Sequence, residues 1–138
     1  MSRAHIVTSY DNDLDELVNA ILEMGGLAEA AFAGAMSALA ARDAEAAARV
    51  IDDDTRLDAL EEDVDQRAVR LFALRQPMAE DLRLIAMSLK ISNDLERIGD
   101  YAASIAKRAK RLAADAPPRA TASLERMGAR LHEMLVDV

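Results

Sequence analysis

Three prolines, at two places, are the strongest breaks in a chain of 138 residues. They are Pro77 and the pair Pro117–Pro118. No Asn-Gly or Asp-Gly hairpin signal accompanies them. Between these breaks nothing alternates with period two for long. Apolar residues instead recur at spacings of three and four almost everywhere, which is the pattern of amphipathic helices. A chain punctuated so sparsely is confined to long helices joined by short links. Composition agrees: aromatic residues are 3% and Trp is absent, so the core must be built from Ala, Leu, Ile, Val and Met. Ala and the straight-chain residues favour helix over strand.

The periodicity predicts four segments. The first runs over about 13–41, with a seam at Leu14, Leu17, Ile21, Met24, Ala28, Ala31 and Ala35. Small residues crowd its second half (Ala28, Ala30, Ala31, Ala33, Gly34), which permits close helix approach. Gly25-Gly26 reads as a point of close packing or a local bend, not as a phosphate loop. Asp43 is placed to cap the second helix, over about 44–75, whose core line is Leu57, Leu60, Val64, Ala68 and Leu71. Pro77 suits the first turn of a third helix, over about 78–114, with a seam at Leu84, Ile91, Leu95, Ile98, Ala102, Ile105 and Leu112. The first half of this helix is apolar nearly all round, which predicts that it lies between neighbours. A fourth segment, about 119–138, repeats the pattern with Leu124, Met127, Leu131, Leu135 and Val138. The expected fold is all-α: an antiparallel, spectrin-like up-down-up three-helix bundle over 10–114, then a helix over 119–138 beyond the Pro-Pro break.

A net charge of −8 argues against nucleic acid, which requires clustered Lys and Arg. It suits metal cations or basic protein surfaces. Cys is absent, so there is no disulfide framework and no thiolate chemistry, as expected for the cytoplasm. No basic n-region with an apolar run marks a signal peptide, and no uninterrupted apolar stretch approaches about 20 residues, so no membrane span is expected.

The acidic residues are arranged unusually. Asp54, Asp58, Glu61 and Asp65 are spaced by four, three and four positions. On a helix they fall within an arc of about 60°, spread over roughly 16 Å and flanking the Leu57/Leu60/Val64 line. Glu96 and Asp100 form a second such pair, in register with Ile85, Leu89 and Ala103. A solvated helix face normally mixes charge signs at these spacings, because opposite pairs help and like pairs hurt. Here Asp54, Asp58, Glu61, Asp65 and Glu96 have no Lys or Arg three or four positions away, and Asp100 has only Arg97. Asp63, just outside the arc, does have Arg67. Basic side chains from neighbouring helices could neutralise the acids, or a cation held by carboxylate oxygens could do so; the pattern leaves both open.

Covalent catalysis has little to stand on. The histidines are His5 and His132, and neither completes the Glu-x-x-His pairs of di-iron bundles. His132 reads as a polar-face residue. No Ser has a His partner in view, and no enzyme activity is expected.

The stretch Lys90-Ile-Ser-Asn-Asp-Leu-Glu-Arg-Ile-Gly-Asp-Tyr-Ala102, with Leu95 to Asp100 at its centre, closely resembles the signature of the PhoU family. Met24-Gly-Gly-Leu27 and Arg75-Gln-Pro-Met-Ala-Glu-Asp-Leu-Arg83 agree with it. The resemblance implies two tandem three-helix bundles carrying Glu/Asp-x-x-x-Asp motifs that hold metal ions or clusters. Glu61/Asp65 and Glu96/Asp100 match that motif, and Asp54 and Asp58 extend it, with Fe, Zn, Mg or Mn as candidate ions. It also implies a cytoplasmic adaptor. Such a protein contacts the phosphate ABC transporter and a sensor histidine kinase, and keeps the phosphate-starvation response off when phosphate is plentiful.

One departure stands out. The resemblance leads one to expect a second bundle, yet only its opening helix is in view, so the chain is expected to be a fragment or naturally short. The stripe on that helix should pack on the first bundle or on another chain, as in a homo-oligomer. Two other readings remain: a helical dimerisation module with a merely charged face, and a carboxylate-bridged metalloenzyme.

Overall fold

The computed structural model describes residues 3–115 and 121–138. Four helices follow in order: α1 (Arg3–Ala41), α2 (Ala44–Arg75), α3 (Ala79–Leu112) and α4 (Thr121–Val136). Among the described residues there is no strand. The Pro117–Pro118 break lies outside them.

Local chemistry sets the links. Asp43 caps α2, its Oδ1 accepting from the backbone N–H of Glu45 at 3.0 Å and of Ala46 at 2.9 Å. Gln76 ends α2 in the left-handed region, at φ 46°. Met78 is the N-cap of α3, so Pro77 precedes the cap and does not occupy the first turn as expected. Its fixed φ still serves as a helix stop.

Two contacts fix the topology. Tyr10 Oη, near the start of α1, donates to Asp81 Oδ2 at the start of α3 (2.9 Å). Arg42, just past the end of α1, donates to the carbonyls of Leu112 and Asp115 at the end of α3. The Leu112 carbonyl lies in the last turn of α3, where helix carbonyls lack intrahelical partners, and Asp115 lies three residues beyond it. Thus α1 and α3 run parallel, α2 runs against both, and the three pack on one another as an up-down-up bundle.

The core has two parts. One contains Leu17, Met24, Ala28, Leu57, Val64, Ala68, Leu71 and Ile85. The other is built almost wholly from small residues (Ala35, Ala38, Ala47, Ala102, Ala106, Ala109) with Phe32 and Val50. Small residues let the backbones approach: a Cβ on Gly34 would lie 3.0 Å from Val50 Cγ2. At Gly25 and Gly26 nothing lies within 4 Å of such a Cβ, so the expected close packing there does not occur. Ser9–Ala41 is long and apolar enough, by length and composition, to cross a bilayer. Its Leu17, Met24, Ala28, Phe32, Ala35 and Ala38 are instead buried in the bundle.

The first half of α3 is not enclosed by neighbours as expected. Leu82, Leu84, Met87 and Ile91 are exposed, and Ile85, Ser88 and Ser92 face the core in their place. Ser92 Oγ donates to Met24 Sδ at 3.3 Å and Ser88 Oγ to the Leu84 carbonyl at 2.8 Å. Both buried hydroxyls are therefore satisfied, which is how polar residues came to sit where an apolar seam was predicted. Among the described residues α4 packs against α1 alone, and Leu124, Met127, Leu131 and Met134 remain exposed.

Candidate metal centre

The boundary between the two core parts lies at Leu57 of α2 and Gly99 of α3. A Cβ on Gly99 would overlap Leu57 Cδ2, so α2 and α3 come as close here as glycine allows. Leu57 sits between Asp54 and Asp58 in sequence, and Gly99 precedes Asp100. Wherever the leucine seats in the glycine notch, acids from two helices are brought face to face.

The closest group comprises Asp54, Asp58 and Asp100, each offering a carboxylate oxygen within 4.8 Å of the others. Asp54 is half-buried, and Asp58 and Asp100 are exposed. The remaining acids spread along the same seam. Glu96 shares a hydrogen bond with Asp100 and feels Glu61 and Asp58. Glu61 feels Asp65, Asp58 and Asp100. Asp65 is exposed, and its effect reaches the group through Glu61. The structure thus brings Asp54, Asp58 and Asp100 together most tightly, with Glu61 and Glu96 beside them and Asp65 at the far end.

Electrostatics record the crowding. Burial, then the hydrogen bond and negative charge of Asp100, push the Glu96 carboxyl up to about 7. Burial and the neighbouring acids raise Glu61 in the same sense. Asp54 is raised by burial, then by Asp58 and Asp100, against a smaller opposing effect of Lys107. None of the ion pairs among the described residues reaches these six acids. Arg56 pairs with Glu23 of α1 at 2.9 Å, and Arg67 pairs with Asp63 at 2.6 Å, as its spacing predicted. Among the described residues, neighbouring helices therefore supply no salt bridge to the cluster.

Such a group fits a hard or borderline cation. The donor atoms are all oxygen, they come from two helices, and negative charge exceeds the opposing effect of Lys107 on a partly desolvated seam. Nothing in it resembles a nucleophile with its base. His132, predicted to lie on a polar face, is instead half-buried on the α1 side of α4, its Nε2 3.8 Å from Glu29 Oε1. The seating of α4 was not readable from α4 alone: Gly128 is buried against Met36.

Residues 21–109 match the PhoU domain. The phosphate-specific transport system accessory protein PhoU homolog of Caulobacter vibrioides is 46% identical over 135 residues, which covers 97% of this chain and 59% of that protein. The protein of the same name from Xylella fastidiosa is 47% identical over 124 residues, covering 90% and 51%. The crystal structure of PhoU from Pseudomonas aeruginosa superimposes with a TM-score of 0.89 at 35% identity, covering 91% of this chain and 61% of that one. The chain therefore spans about half to three-fifths of the length of these relatives. The domain match takes in the second half of α1, all of α2 and most of α3, and with them every acid of the seam: the chain belongs to the PhoU family.

Proposed function

We propose that this chain is a regulatory adaptor of phosphate uptake and phosphate-starvation signalling, acting in the cytoplasm by binding and not by turnover. In this reading it links the cytoplasmic face of a phosphate ABC transporter to a sensor histidine kinase, with metal ions bound on its acidic seam. The relatives named above carry transport-accessory names, which supports the phosphate connection. The observation that carries the ion-binding part is the convergence of Asp54, Asp58 and Asp100, none of which joins an ion pair among the described residues. Those three would hold the cation, with Glu61 and Glu96 in reach and Asp65 the outermost. Mg, Mn, Fe or Zn all suit carboxylate oxygens. Bound there, the cation would tie α2 to α3 and offset the repulsion between them.

The test is capture of the transporter's cytoplasmic ATPase and of the kinase by immobilised full chain, with and without divalent cation. Retention of both partners above an unrelated helical bundle is expected. Loss of both under all ion conditions would remove the adaptor role.

One observation favours a second reading. The exposed stripe Leu124, Met127, Leu131 and Met134 on α4 suits helical self-association, and a homo-oligomer is the form it would take. Sedimentation of the full chain separates the two: a dimer that captures neither partner favours the dimerisation module.

A further inference from the structure

We infer that Gly99 is the positioning residue of the cation centre: its missing side chain sets the spacing of α2 and α3 that brings Asp100 within reach of Asp54 and Asp58. The inference rests on the ion-binding reading above and adds to it a residue with no ligand atom of its own.

A helix interior is a poor place for glycine, which is among the weakest helix formers. Gly99 nevertheless lies in the middle of α3 and is buried. Its φ is not positive, so backbone conformation does not require it. The cause is steric. A Cβ there would overlap Leu57 Cδ2, lie 3.6 Å from Leu57 Cγ, and lie 3.2 Å from Oδ1 of Asp54. The first contact is far inside van der Waals range, and Leu57, though 2% exposed, borders a small cleft with Leu27, Ala30, Ala31, Val50 and Asp54. An added methyl group must drive the Leu57 tip away from α3 or part the helices at this level, and at 3.2 Å it crowds the Asp54 carboxylate in either case. Gly99 is flanked on its own helix by Asp100, and Leu57 lies between Asp54 and Asp58. The wedge would therefore act on all three ligands, whose oxygens must stay within a few ångströms of one ion.

Gly25 provides the contrast. It also lies mid-helix, in α1, but no atom lies within 4 Å of a Cβ built there. Substituting it should leave the centre untouched.

The test titrates Mn²⁺ into the full chain by electron paramagnetic resonance, with circular dichroism of each variant recorded alongside. Gly99→Ala keeps all six acids and is expected to bind Mn²⁺ at least tenfold more weakly while retaining wild-type helical signal. Gly25→Ala should bind as wild type does. Leu57→Val combined with Gly99→Ala removes the overlapping Cδ atoms while nearly conserving volume, and should recover affinity to within about threefold of wild type. Equal Mn²⁺ affinity in Gly99→Ala and wild type overturns the positioning role and leaves the cation centre standing. Failure of wild type itself to bind Mn²⁺ overturns the ion-binding reading and the inference with it. Should Gly99→Ala alone lose its helical signal, the double variant decides: recovered binding supports the notch, and a folded double variant without binding overturns it.

Discussion

Arg56 lies between Asp54 and Asp58 in sequence, yet its guanidinium turns to α1 and pairs with Glu23 at 2.9 Å. Two positions on either side of it, the aspartates face α3 with no ion-pair partner. A helix advances about 100° per residue, so adjacent charges of opposite sign serve different neighbours. Both side chains of the Arg56–Glu23 pair are well exposed, at 65% and 49%. Exposed pairs contribute about 0.2–1 kcal/mol. Arg56→Ala should therefore lower stability in urea by no more than about 1 kcal/mol and leave cation binding in place. A larger loss would mean that Arg56 does neutralise the acidic seam.

The cap of α2 offers a cleaner stability test. Asp43 accepts from two backbone N–H groups, and removing such a cap costs about 0.5–2 kcal/mol. Asp43→Ala should shift the urea midpoint down by a corresponding amount with no change in slope. Asp43→Ser should recover most of it.

Acid titration should run opposite to the usual carboxylate pattern. Glu96 is raised from 4.5 to about 7 in the fold, and Asp54 and Glu61 move in the same direction. Between those limits the folded chain holds protons that the unfolded chain has released. Unfolding free energy therefore falls as pH rises from about 4.5 to about 7. Urea midpoints measured in chelator should decline over that window, and Glu96→Gln should flatten the decline. Saturating divalent cation should reverse it, because the ion favours the ionised form. A midpoint that rises with pH in chelator would contradict the crowding described here.

α4 approaches α1 closely at Gly128, where a Cβ would run into Met36. No α4 residue belongs to either core part. Gly128→Val should release α4 from α1, so that amide exchange over 121–136 approaches that of an isolated helix. The exchange of α1, α2 and α3 should barely change. Protection of α4 equal to wild type would show that its seat does not depend on that close approach.

Much of this was legible in the sequence. The limits of α2 follow from the Asp43 cap and Pro77, and its core line at Leu57, Val64, Ala68 and Leu71 follows from spacing alone. The start of α1 was not: the apolar seam placed it at about residue 13, whereas the helix runs on from Arg3. The orientation of α3 was also hidden, because a segment apolar on every side does not say which side meets a neighbour. The unpaired character of the acids was visible from i±3 and i±4 spacing. Which of them meet across helices was not, since single-helix periodicity carries no inter-helix register. That register depends on Leu57 seating at Gly99, and it draws Asp54 and Asp58 to Asp100 while leaving Asp65 at the edge.

The central claim is that acids of α2 and α3 form one cation centre. Its most direct test is isothermal titration of divalent cation into wild type and into Asp54→Asn/Asp58→Asn/Asp100→Asn, both freed of metal by chelator. Saturable binding in wild type, lost in a triple variant that keeps its helical signal, is the predicted result. Equal binding by the two, or none by wild type, would contradict it.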